Sequence, residues 1–439
     1  MIEPGPEELG AALEELCARL YPICRSITGD GVRRTLRILE EHVPLEIVEV
    51  PSGTRVLDWT VPREWNIRDA WIANLRGERV VDFKESNLHV VSYSVPVRAR
   101  MRLEDLRKHL HTLPEHPAWI PYRTSYYAET WGFCLEQERL DAMRDEEYDV
   151  VIDSTLEPGS LSYGELLVPG RTDEEVLISA HVCHPSLCDD NLSGIAVSAF
   201  LAKRVLAMDR RYTYRFLYVP GTIGSITWLA THAEEARRIR HGLTLVCLGD
   251  RNRLTYKRTL GGNAEIDRAA ALVLGHSGRE WAAIDYFPYG YDERQFNSPG
   301  FRLPVGSLMR GRHGLFPEYH TSADDLDFVS GGQLVAALES AAAIVRVLEG
   351  NRAYRNLKPH GEPQLGKYGI YRAMGGPSDV GDLQLAMLWV LTLSDGGSTL
   401  LDVAERAGMP FELVRSAADL LLRHGLLGEP GPEAAAPLP

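Results

Sequence analysis

Between Tyr148 and Leu248 the sequence alternates short apolar runs with stretches of helical spacing, and few architectures accommodate that alternation. Tyr148–Ile152, Gly164–Val168, Val176–Ala180, Tyr214–Val219 and Leu243–Leu248 are runs of strand length. Helical patterns at Ile195–Met208 and Ile226–Ile239 separate the last three. Strands alternating with helices predict a doubly wound α/β sheet. An amphipathic pattern over Leu334–Leu348 predicts a closing helix.

One of these runs ends in reactive side chains. Val176–Ala180 leads into His181, and His184, Asp189, Asp190 and Asn191 follow before Leu-Ser-Gly and a helical pattern. The carboxyl end of a strand in an open α/β sheet is where ligands bind. Neutral imidazole with carboxylate suits Zn²⁺ or a similar divalent cation. A second cluster, EYHTSADDLD over Glu318–Asp327, supplies His320. Distant segments can share one ion, because a metal site needs convergence in space and not in sequence. Thr321, Ser322 and Asp324 are also good helix-capping residues, so a capped turn accounts for part of this pattern. Cys183 and Cys188 flank His184 as thiolate ligands or as small buried hydrophobes.

At 439 residues the chain needs more than one core, and two or three domains are expected. A net charge of −14 argues against a general nucleic-acid binder. No stretch reads as a membrane span. The start, MIEPGPEELG, lacks the basic and apolar regions of a secretory signal, and six scattered cysteines read as reduced thiols. A cytoplasmic protein is expected. Residues 1–44 read as the N-terminal helical part of the core and 45–125 as an inserted β-rich domain. Residues 126–355 read as the α/β core and 356–376 as a linker. Residues 377–430 read as a winged-helix-like domain and 431–439 as a disordered tail. The last helix of that domain, FELVRSAADLLLRHGLL, is near neutral, which predicts protein contact and not DNA reading. The three helices together carry many apolar residues, Leu385, Trp389 and Leu413 among them, and a single three-helix core is not expected to bury all of them. A homo-oligomer is one way to cover that surplus.

The order His…Asp-Asp-x-x-Ser-Gly…His-Thr-x-x-Asp resembles the co-catalytic zinc aminopeptidases of the leucyl-aminopeptidase and glutamate-carboxypeptidase-like clan. The stretches LYPICRSITGDGVRRTL, FKESNLHVVSYSVPV, TSYYAETWGFC, HVCHPSLCDDNLSG, VPGTIGSITWL, YDERQFNSPGFRLPV and EYHTSADDL carry a closer likeness. They resemble an aminopeptidase-like family with an inserted β domain and a C-terminal winged helix, over about Leu20 to Tyr371. The resemblance implies a zinc-exopeptidase-like mixed sheet. It implies Asp190 as a metal-bridging carboxylate, His320 as the late ligand, and His184 or His181 as the early one. One zinc ion is expected, with two as the alternative.

The chain also departs from the family pattern. Where that family reads Pro-Glu-Thr-Ile-Gly-Ser, this chain has Gly221 in place of the glutamate that would act as base. Thr222 leaves the second ion without its carboxylate, and Asp250 is the candidate for a third ligand. Glu318 and Glu293 are candidate replacement bases. Arg294, beside Asp292 in a segment that the resemblance places near substrate, is a candidate carboxylate clamp or a loop ion pair with Glu293. The implied activity is metal-dependent amide hydrolysis of a small peptide-like or biosynthetic intermediate. The alternatives are a disarmed homologue used for binding or scaffolding, and a repurposed non-hydrolytic enzyme.

Overall fold

The structure is a computed structural model, and it describes residues 5–370 and 380–430. The tail expected at 431–439 and the end of the expected linker, 371–376, lie outside the described residues. The chain divides into two compact units. The first comprises residues 1–262 and 280–339, and the second 263–279 and 340–439.

The first unit is built on an eight-stranded mixed sheet. Its spatial order is Glu46–Pro51, Ser160–Val168, Thr213–Val219, Glu175–His181, Ile239–Leu245, Val305–Met309, Leu254–Lys257 and Trp281–Ile284. The four central strands are parallel, and the two flanking junctions are antiparallel. Glu175–His181 and Thr213–Val219 are buried at every position, which explains their largely apolar character, and the buried Arg215 and Glu175 pair with each other at 2.7 Å. His181 lies opposite Val219 in this register, so the ends of those two strands open onto the same edge. The helices Gly194–Ala207 and Ile223–Thr231 make the crossovers. Pro6–Leu20 starts with Pro at its first turn, with Glu7 and Glu8 there and Arg19 at its end, all favourable for the helix dipole. It buries Leu9, Leu13, Leu16 and Leu20, the stripe its spacing predicts.

Two strands exchange sheets relative to the sequence reading. Glu46–Pro51, expected in the insertion, is the edge strand of the main sheet. Tyr148–Ile152, expected in the core, lies within Glu147–Glu157, which pairs with Glu64–Ala73 and Val97–Arg102 in a separate four-stranded sheet. Tyr148, Val150 and Ile152 alternate into that small sheet's own apolar cluster. A short apolar run fits the pleat of either sheet, so its pattern carries no information about which partner wins.

In the second unit, Ala353–Asn356, Asp395–Thr399 and Leu427–Gly428 form an antiparallel sheet with Ala353–Asn356 at its centre. Val380–Leu393, Leu400–Ala407 and Phe411–Arg423 are its helices. Thr399 and Asp402 form a capping box, and Gly408 ends Leu400–Ala407 at φ 65°, where glycine carries no Cβ penalty. Glu265–Gly275 clusters here as well: Arg268 pairs with Asp402 at 2.5 Å and also with Glu405. Gly331–Gly350 is long and apolar enough to cross a membrane by length and composition, and most of it is buried inside the protein.

Candidate metal centre

The loop after His181 is held by backbone hydrogen bonds from a distant carboxylate. Asp324 accepts from the amides of Asp189 at 2.6 Å and Asp190 at 3.0 Å, and its carbonyl accepts from Cys188 N at 2.9 Å. Asp189 accepts from Gly249 N at 2.6 Å. Asn191 Nδ2 donates to Leu245 O at 3.1 Å, and Ser193 Oγ accepts from Leu248 N at 2.8 Å. The turn Cys188–Ser193 is therefore fastened to the end of the neighbouring strand. Of the Asp189–Asp190 pair, Asp189 is a tether and Asp190 alone faces the imidazoles.

The two carboxylate oxygens of Asp190 meet different histidines. Oδ1 lies 2.7 Å from His181 Nε2, and Oδ2 lies 3.0 Å from His320 Nε2. His181, His184 and Asp190 are all buried, and their ligand atoms lie within 4.8 Å of one another. The rings of His184 and His320 are 5.1 Å apart. Burial would raise the Asp190 carboxyl. His184 beside it and the hydrogen bonds of His181 and His320 outweigh that effect and hold it well below the usual carboxylate range. Burial pushes His184 well below the ordinary histidine value. An anionic carboxylate beside a neutral imidazole is the protonation state that metal ligands need. The donor set fits zinc.

Residues outside the two motifs position these groups. Arg25 is fully buried and donates Nε to His184 O at 3.0 Å. Tyr122 packs edge-on against both His184 and His320. Its amide donates to His320 O at 2.8 Å, while Ser322 N donates to Ile120 O at 2.8 Å. Tyr319 stacks on His320 with ring centroids 4.0 Å apart.

Four expectations need correction or relocation. Asp250 does not join the cluster, because its oxygens accept from Asn252 N at 2.6 Å and Gly311 N at 2.7 Å. Glu293 is buried and paired with Lys257 at 2.6 Å, and it also accepts from Tyr291 N, so it is neither a free base nor the partner of Arg294. Among the described residues Arg294 reaches only Pro288 O, at 3.4 Å. Asp292 tethers the turn after Val219, accepting from Thr222 N and Ser225 Oγ, each at 2.8 Å. Burial pushes its carboxyl up to about 6, with His181 pulling the other way. Glu318, two residues before His320, is half-buried, and no hydrogen bond reaches its carboxylate among the described residues.

The space at Gly221 is taken. A Cβ built there would lie 1.7 Å from Cε1 of Tyr291, 2.3 Å from Cζ and 2.5 Å from the hydroxyl. The Tyr291 ring sits 4.2 Å from that of His181, with its hydroxyl 3.4 Å from Cys183 Sγ. A phenol ring thus fills the place of a side chain at residue 221. No local pattern around Tyr291 signals this, because the two positions meet only in the fold.

A family profile described as Domain of unknown function (DUF4910) matches residues 14–351, and a winged helix-turn-helix profile matches residues 352–429. A protein of Clostridium acetobutylicum is 52% identical over 420 residues, 96% of each chain. It is described, provisionally, as a polysaccharide biosynthesis protein with an aminopeptidase-like domain. A crystal structure from the same organism, provisionally called a peptidase, matches with TM-score 0.92 at 50% identity, over 96% of this chain and 97% of that one. BSAP, a zinc aminopeptidase from Bacillus subtilis, matches with TM-score 0.58 at 13% identity, over 78% of this chain and 95% of that one. A peptidase M28 precursor from Shewanella amazonensis matches with TM-score 0.54 at 15% identity, over 78% and 96%. These last two likenesses are of fold.

Proposed function

The chain belongs to the DUF4910 family and has an aminopeptidase-like core of the M28 peptidase fold, and from that premise we propose that it is a zinc-dependent amide hydrolase acting on a small intermediate of polysaccharide biosynthesis. The observation that carries this reading is the Asp190 carboxylate with His181 on one oxygen and His320 on the other. The donor set would be drawn from His181, His184, Asp190 and His320, and we assign it one ion. Zinc bound there would supply a Lewis acid and acidify water. Glu318 would be the base that moves a proton from water to the leaving amine, since Glu293 and Asp292 are committed to other partners. Tyr291 excludes water from the space beside Gly221 and steadies the His181 ring.

The test is metal analysis of the purified protein together with turnover of aminoacyl amides after zinc loading. Glu318→Gln should lower kcat by roughly 10²–10⁴-fold and leave the zinc content unchanged. Absence of a stoichiometric ion after zinc loading would sink this reading. A second reading, a disarmed binding protein, is favoured by the Tyr291 ring filling the space at Gly221. It predicts zinc binding without turnover of any amide.

A further inference from the structure

The three most exposed large apolar side chains found among the described residues are Leu315, Tyr289 and Phe287, at 67%, 58% and 57%. All three line one cavity of about 340 Å³. Scattered exposed apolar residues are ordinary, whereas a convergence at one concave mouth marks a binding surface. Of the other lining residues, Ile284 and Met309 are apolar and Arg312 and Lys257 are basic. Arg312 makes no ion pair among the described residues, and Lys257 reaches the cavity from the sheet. The Lys257 ammonium gives one N–H to Glu293 at 2.6 Å and one to Tyr289 O at 2.9 Å, which leaves a third donor. Glu293 balances the Lys257 charge, so among the described residues Arg312 is the uncompensated charge at this mouth, and it favours an anion.

The cavity adjoins the metal centre through His313, which lines it. The His313 ring lies parallel to Tyr291 at 6.4 Å, and Tyr291 sits on His181. On its other side it is 6.1 Å from Tyr319, which stacks on His320. Among the described residues, His313 Nε2 is buried without a hydrogen-bond partner. The volume lies at the lower end of the ~300–1,000 Å³ range of ligand pockets and accommodates a single ring with its substituents.

We propose that this cavity is a subsite of the same centre that seats a sugar-sized ring bearing an anionic substituent, a carboxylate or a phosphate. The ring lies against Phe287 and Tyr289, and the anion meets Arg312 and the free Lys257 donor. This rests on the hydrolase reading and narrows it: the substrate is an acidic sugar derivative carrying the amide, and not a peptide.

Calorimetric titration of the full-length protein with D-glucuronate, glucose 6-phosphate, glucose and inorganic phosphate tests it. At least one of the two ring-plus-anion probes should bind at least about tenfold tighter than glucose or phosphate. The stronger of the two identifies the anion. Arg312→Ala should remove that preference, and Phe287→Ala should weaken the ring-bearing probes; both side chains lie at the surface, so folding is not at stake. Asp190→Asn should leave this binding intact, because the cavity does not use the metal ligands. Equal affinity for glucose and its acidic derivatives, or binding indifferent to both surface substitutions, overturns the inference. So does the absence of saturable binding. Zinc-dependent amide turnover without binding here removes this inference alone. Binding without turnover removes the hydrolase reading and leaves the ring-and-anion site standing.

Discussion

Gly221→Glu alone should not restore a base to this site, because Tyr291 occupies the space. The new Cβ would fall 1.7 Å from the Tyr291 ring, about half of an ordinary carbon contact, so the ring must leave. Overpacking of this kind costs typically about 1–3 kcal/mol. Tyr291→Ala opens the space and should itself destabilise by loss of ring packing. In the double variant the two costs should not add: a coupling of about 0.5–3 kcal/mol in favour of the pair is expected for side chains in contact. If the glutamate then reaches the position of a general base, turnover should rise by roughly 10²–10⁴-fold, or about 3–5 kcal/mol of barrier. The assay is a thermal-denaturation cycle of the four proteins, with release of p-nitroaniline from leucine p-nitroanilide by each zinc-loaded form. A single Gly221→Glu variant as stable as the parent and more active than the double variant would refute the steric argument.

Other consequences can be measured directly. Asp190→Asn should weaken zinc binding by more than the roughly 10–100-fold that a lost outer-shell partner costs, read by competition with a chromogenic chelator. Asp324→Asn places an amide against two backbone N–H donors and should cost about 1–3 kcal/mol while also lowering zinc affinity, measured by thermal shift with and without metal. His241 is buried and its value is pushed down to about 4 by desolvation. Between pH ~6.5 and ~4 the unfolded state therefore binds the extra proton, and stability falls as pH is lowered through that window. His241→Phe should remove up to about 3 kcal/mol of that acid sensitivity, seen as a flatter dependence of the melting temperature on pH. The second unit should show no salt-sensitive submicromolar affinity for duplex DNA in a fluorescence-anisotropy titration at low salt.

The convergence of the histidines on Asp190 was legible because its members follow local rules. A histidine at a strand end, a carboxylate in the next loop and a histidine in a turn each have a short-range signature. What fastens them was not legible. Asp324 looks like a helix cap and Asp292 like half of a charged loop, yet each accepts backbone or hydroxyl donors from distant turns. Arg25, inside an apolar N-terminal segment, gives no sign of its bond to the His184 carbonyl. Asp250 misled because an acid after a strand suggests a ligand, whereas backbone amides take up both of its oxygens. The alternation of strands and helices announced the sheet. It could not decide which sheet Glu46–Pro51 and Glu147–Glu157 would join, since that depends on long-range pairing.

The segment that bears His320 is clasped on two sides. Asp324 grips the early loop, while Ile120 and Tyr122 hold its other flank through backbone bonds at His320 and Ser322. Ile120 and Tyr122 lie outside the histidine–aspartate cluster, yet they set where His320 stands. A shortened protein cut to the eight-stranded sheet and its helices would keep every donor in its sequence and lose their convergence. For protein engineering, the region around Ile120 and Tyr122 belongs inside the minimal module that holds the histidine–aspartate cluster, and grafting the cluster's residues onto a bare sheet would transfer the residues without their arrangement.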